Sequence, residues 1–189
     1  MTPPDRKIIL GVDPGTNLLG YGVISVDAKG PHFVDMGVLD LRKERNAYSK
    51  LARIYDKINA LIEYYHPEEL ACESPFYGKN AQVILKLGRA QGAAITAAAS
   101  KGLEVFEYAP REAKLAIVGN GAASKNQVNT MVQKTLGIDV EPKHLDATDA
   151  LAIALCHYYN RNSPPAAAVR NRKNSWKDFI SSHPERIKK

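Results

Sequence analysis

Four carboxylates, Asp13, Glu73, Asp146 and Asp149, occupy positions from which an α/β fold could gather them. Asp13 follows the apolar run KIILGV and precedes Pro14-Gly15, so its side chain emerges where a strand ends and the backbone turns. Glu73 ends a second apolar segment, ELACE, and the Ser74-Pro75 pair after it closes that strand. Asp146 and Asp149 lie three residues apart at the start of a segment of Ala, Leu and Ile, a spacing that puts both on one helix face. Taken singly, each of three has an ordinary role: Asp146 as a helix cap, Asp149 at the positive end of the helix dipole, Asp13 in the turn. Gathered at one sheet edge, such carboxylates repel one another unless a cation neutralises them. An all-oxygen donor set suits Mg²⁺, with Mn²⁺ as a substitute, rather than Zn²⁺. Two such ions, about 3.5–4 Å apart, can activate a water and stabilise the leaving oxygen of a phosphodiester. The reaction class expected of this set is phosphoryl transfer to water.

The elements that must position these acids follow from periodicity. Lys7 to Val12 reads as a buried central strand, Gly20 to Val26 and His32 to Leu41 as its partners in an antiparallel meander. Asn46 to Tyr65 carries a helical apolar period, ending near Pro67. Glu69 to Glu73 is a fourth strand, Asn80 to Ser100 a helix rich in small residues, and Leu103 to Tyr108 a fifth strand. Helices are expected at Pro110 to Val118, at Ser124 to Leu136 with Ser124 as N-cap, and at Asp146 to Tyr159. The order describes an α/β domain over residues 1–160, with a mixed five-stranded sheet flanked by helices. Residues 161–189 begin with a Pro/Ala-rich linker and continue as a basic tail containing SWKDFI, whose apolar side chains suit docking on the body or a partner.

The chain of 189 residues carries a net charge of +6, which suggests a polyanionic partner. Residues 1–160 hold 18 basic and 18 acidic groups, so the excess lies entirely in the tail. Between Ser74 and Lys134, however, eight basic residues face three glutamates, so a basic face and an acidic site can share one domain. No apolar stretch has the length of a membrane span, and residues 1–10 lack the pattern of a secretory leader. A soluble, cytoplasmic protein with no membrane partner is expected, and Cys72 and Cys156, in apolar segments without metal-ligand spacing, are expected as buried free thiols.

The segments GVDPGTNLLGYGVI, ESPFYGKN, LKLGRAQGAA, VFEYAPREAK, VGNGAASKNQV and DATDALAIALCH, in this order over about residues 7–160, resemble the RuvC family of Holliday junction resolvases. The resemblance implies a ribonuclease H-like fold and a homodimer. It also implies paired Mg²⁺-dependent nicks across four-way junction DNA in recombination and repair, leaving 5′-phosphate and 3′-hydroxyl ends. Asp13, Glu73, Asp146 and Asp149 fall on the family's four acidic positions, with two ions expected per subunit. Some members carry histidine at the third position, where this chain has Asp146; His144, two residues earlier, is expected at the surface or beside a ligand. A branch-migration complex of the RuvA–RuvB type is a further partner candidate.

Five residues are candidates for holding DNA. Phe76 and Tyr77 follow Glu73 in a loop with Lys79, and aromatics exposed there would stack on unpaired bases; core packing would explain them as well. Phe76 matches the family's aromatic position at the junction centre. Lys114 and Lys125 match basic positions linked to DNA binding and cleavage, and Lys125 also lies where a glycine-containing loop meets a helix N-terminus able to receive a phosphate. A plain helix-capping turn accounts for that loop nearly as well. The small-residue face of 81–100 is the expected dimer contact, although core packing would produce the same pattern. Two rival classes remain. GVDPGTNLLGYGVI also resembles the first phosphate loop of actin-like ATPases and sugar kinases, which normally need a second related domain. A noncatalytic branched-DNA binder would leave four matching acids without a task.

Overall fold

The computed structural model describes residues 6–75, 80–138 and 145–162. Its five strands are β1 (Lys7–Asp13), β2 (Leu18–Asp27), β3 (Gly30–Asp40), β4 (Glu69–Glu73) and β5 (Glu104–Tyr108). They form one sheet in the order β3-β2-β1-β4-β5. The first three make the expected antiparallel meander, while β4 and β5 run parallel to β1 because a helix carries the chain back each time. This is the ribonuclease H-like arrangement.

Helices cover both faces. On one, α1 (Ala47–Tyr65) and α2 (Ala81–Ser100) pack through Ile54, Ile58, Leu61, Ala90, Ala94 and Ala97 onto Leu10, Val12, Leu70 and Cys72. On the other lie α3 (Pro110–Val118), α4 (Lys125–Leu136) and α5 (Leu145–Asn162), against Ile9, Ile24 and Ala71. Strand alternation produces this division: Ile9 and Ala71 face α5, so Asp13 and Glu73, at even offsets from them, face α5 too. The expected helix starts are confirmed by their caps. Asn46 accepts from Tyr48 and Ser49, Asn80 from Gln82 and Val83, and Ser124 from Gln127. α5 runs three residues past its expected end at Tyr159, and Arg161 in its last turn donates to Glu69. Both cysteines are buried free thiols. No helix among the described residues is long and apolar enough to cross a membrane.

Two features fix α5 on the sheet. Near its start the sheet surface is glycine: a Cβ at Gly20 would overlap the Asp146 carbonyl oxygen, and one at Gly11 the Ala150 carbonyl oxygen, so bare backbone lets the helix lie directly on β1 and β2. Near its end, buried Glu69 accepts from His157 Nε2 and Arg161 Nη2, both at 2.6 Å, and pairs with Lys7 Nζ at 2.5 Å. Burial works against the Glu69 charge, but these three donors outweigh it and bring its pKa down to about 2. Burial keeps His157 toward the neutral form, which fits Tyr108 O–H donating to its Nδ1 at 2.7 Å.

Candidate active site

The four acids meet at one end of the sheet. β1 and β4 are parallel neighbours in register from Ile9↔Glu69 to Val12↔Cys72, which brings Asp13 and Glu73 side by side where both strands end. Asp13 pairs with Gly20 across the β1–β2 ladder, and Gly20 is where the Asp146 carbonyl rests. The first turn of α5 therefore stands over Asp13, and the helical spacing turns Asp149 to the same place. All four carboxylates are partly buried.

Their mutual field is strong. Burial first, then the charges of Glu73, Asp149 and Asp146, push the Asp13 pKa up to about 8, with Lys125 working the other way. Glu73 is lifted to about 7 by burial and by Asp149, against the opposing pull of Lys125 and Lys114. Two acids so reluctant to ionise mark a site built for positive charge. Lys125 supplies part of it, donating from Nζ to Asp149 Oδ2 at 2.5 Å. Burial opposes the charge on Lys125, but this hydrogen bond and the fields of Asp149, Asp13 and Asp146 prevail and raise its pKa.

Among the described residues, no three acidic, imidazole or thiol groups already enclose a single point as a finished metal cage would. Unneutralised carboxylates repel, and Lys125 draws Asp149 toward itself. The donor chemistry nevertheless fits a hard divalent ion: oxygens only, anionic when ionised, and too crowded to remain charged alone. The buried cysteines do not compete, since burial drives both thiol pKa values upward.

The structure thus brings together Asp13, Glu73, Asp146, Asp149, Lys125 and, through its field on Glu73, Lys114. Phe76, Tyr77, Lys79 and His144 lie outside the described residues, as does the tail. At the start of α4, Ser124 is the expected N-cap and caps reciprocally with Gln127, and Lys125 reaches the acids by donating to Asp149.

Sequence reasoning did not single out Gln91. It is buried and donates from Nε2 to the Glu73 carbonyl at 3.4 Å, holding the strand end from the α2 side. A polar residue inside the small-residue run LGRAQGAA was the available signal. Lys50 was also missed: it clamps the turn after Asp13 by donating to the Thr16 carbonyl at 2.7 Å.

The family model described as crossover junction endodeoxyribonuclease RuvC matches residues 9–157. The RuvC of Bacteroides fragilis is 49% identical over 98% of this chain and 98% of its own, and that of Cytophaga hutchinsonii 47% identical over 96% and 88%. Among solved structures, Thermus thermophilus RuvC in complex with a Holliday junction substrate superposes with a TM-score of 0.76 at 33% identity, covering 82% of this chain and 95% of that one. The chain belongs to the RuvC family of crossover junction endodeoxyribonucleases.

Proposed function

We propose that this protein resolves Holliday junctions by Mg²⁺-dependent hydrolysis of one phosphodiester in each of two opposed strands. The observation that carries the reading is the convergence of Asp13, Glu73 and the α5 pair on one sheet edge, with raised Asp13 and Glu73 pKa values that call for a cation. The likeness to a RuvC solved with a Holliday junction supports the choice of substrate. In this reading Asp13 and Glu73, from two strand ends, and Asp146 and Asp149, from α5, hold two ions. Held by these residues, the ions would supply Lewis acidity for activating water and for stabilising charge at the leaving 3′ oxygen. Lys125 exchanges Asp149 for the scissile phosphate and offsets the charge that develops on it. Lys114 adds positive potential beside Glu73. Phe76, Tyr77 and Lys79, next in the chain after the Glu73 strand, hold unpaired bases and backbone at the junction centre. The nuclease domain extends through Asn162, with 163–189 as a basic tail.

A divalent cation and protons should compete for these acids. Asp13 and Glu73 stay protonated in the fold at pH values where the unfolded chain's carboxylates have ionised, so the folded state binds more protons between about pH 4 and 8. Stability contributed by their protonated forms is therefore lost as pH rises through that window, and Mg²⁺ restores it only where the acids can ionise. About 10 mM Mg²⁺ is expected to raise Tm by roughly 3–5 °C near pH 8.5 and by almost nothing near pH 5.5, against an EDTA reference. Equal shifts at both pH values in a thermal melt would contradict this assignment.

A four-way junction is nearly two-fold symmetric, which suits a two-fold dimer carrying one site per subunit. Along α2, Leu85, Gly88, Gly92, Ile95 and Ala99 recur at alternating spacings of three and four, and Leu85 is 57% exposed. A Cβ added at Gly88 or Gly92 would meet nothing within 4 Å, so this seam is open to a second helix. The experiment that tests the function follows both nicks on one junction. The parent enzyme is expected to release two nicked duplexes that ligase seals, while Leu85→Glu, with a charge in the seam, sediments as a monomer and cuts roughly tenfold or more slowly. Unsealable ends, or an unchanged dimer in the variant, would count against the corresponding part of the reading.

A further inference from the structure

Beside the acidic site lies a cleft of about 460 Å³, formed by the turn after β1, the β3–α1 connection, the first turns of α1 and the N-terminal half of α2. Its floor is apolar, with Leu41, Leu51, Ile54 and Ala90, and its rim carries Arg45, Lys50, Lys86 and Arg89. Four cations around one concavity repel each other, and such an arrangement is ordinarily relieved by carboxylates. Among the described residues it is not. The one acid that they place on the lining, Glu44, is partnered by Arg53 at 3.4 Å. Lys50 is directed to neutral acceptors, the Thr16 carbonyl and Asn17 Oδ1. Among the described residues, Arg45, Lys86 and Arg89 form no ion pair with a carboxylate. The start of α1, with no acid in its first turn, adds the positive end of its dipole to the same rim.

We infer that this cleft binds backbone phosphates of the DNA strand that runs through the acidic site, one or two nucleotides from the bond that is cut. The inference rests on the nuclease reading and extends it to a second contact surface. Position argues for backbone phosphate over a free anion. Gly15, Thr16 and Asn17 line the cleft and begin two residues after Asp13, so the turn that ends β1 joins the acids on the α5 face to the cleft on the α1–α2 face at the same end of the sheet, and a strand passing over that end can reach both. The chemistry argues the same way. Separate lysine and arginine heads around an open trough match successive monoanionic phosphates, and the apolar floor gives sugars a surface to lie on. Lys50 has a further task, because it holds the turn that joins cleft and acidic site while presenting its charge to the occupant.

The test compares the parent with a Lys86→Gln/Arg89→Gln double variant, both exposed positions whose replacement should leave Tm unchanged. Junction affinity is measured in EDTA over a range of salt concentrations. The variant is expected to bind about 10- to 100-fold more weakly near 0.1 M salt, with a log–log salt slope smaller by about 1–2. Junctions carrying single uncharged methylphosphonates around the cut locate the contact. One or two positions should weaken the parent about tenfold while leaving the variant's affinity unaltered, which couples residue and phosphate. An unchanged salt slope, additive effects of phosphonate and variant, or loss of the dimer in the variant would each overturn the inference. Displacement of junction by about 1 mM ATP, dependent on these two residues, would also overturn it by making the cleft a nucleotide site. If the parent fails to cut junctions at all, the nuclease reading falls; if the parent cuts and the variant binds normally, only the cleft inference falls.

Discussion

Asp13→Asn is expected to lower Mg²⁺-dependent cleavage of a four-way junction at least about 100- to 1,000-fold while leaving junction binding in EDTA within about twofold of the parent. The asparagine keeps the shape and one oxygen but loses the anion, and Asp13 is the acid most strongly affected by its three neighbours. Removing its charge also relieves repulsion in the metal-free protein. The variant should therefore melt in EDTA at or above the parent's temperature near pH 8, and its Mg²⁺-induced rise in Tm should disappear. Those opposed signs separate loss of a ligand from loss of the fold. Single-turnover cleavage and a pair of melts check them, and undiminished cleavage would remove Asp13 from the reaction.

Gly20→Ala is the second large effect, and it is a test of how the acids are placed. The new methyl group would overlap the carbonyl oxygen of Asp146, a backbone atom on α5 that a rotamer change cannot move aside. The helix start must lift from the sheet. Overpacking of this kind costs about 1–3 kcal/mol, and a displacement near 1 Å at a reacting centre costs about 100-fold in rate. Cleavage is expected to fall at least that far, with a Tm lower by roughly 3–10 °C and junction binding largely kept. Full activity in Gly20→Ala would show that α5 need not rest on Gly20 for the site to work.

The acids and the glycines beneath α5 were unequally legible in the sequence. Asp13 and Glu73 could be located in advance because each closes a short apolar run, and strand ends are where an α/β sheet displays side chains. Asp146 and Asp149 could be placed on one helix face from spacing alone. Their convergence with the strand acids could not be read from residues, because it depends on the β1–β4 register and on α5 lying across β1 and β2. The resemblance supplied that step, and the register now gives its cause. Gly11, Gly20 and Gly22 alternate in their strands opposite an alanine-rich helix, a pattern that acquires meaning only once the two surfaces are known to touch. The Glu69–His157 contact spans 88 residues, and Glu69 looked like an ordinary strand position in ELACE. Charge misled in a different way. The net +6 belongs to the tail, whereas the basic rim of the cleft joins residues from two separate segments, 45–50 and 86–89, that no local count would combine.

Four carboxylates at one sheet edge that cut branched DNA with a divalent cation should make cleavage selective for both metal and substrate. The decisive measurement gives the 189-residue protein three substrates at equal concentration, with Mg²⁺ or with EDTA: a mobile four-way junction, linear duplex of the same sequence, and an RNA–DNA hybrid. Cutting confined to Mg²⁺ and favouring the junction over both others by about 100-fold or more is the predicted result. Preference for the hybrid, or equal cutting of junction in EDTA, would contradict it.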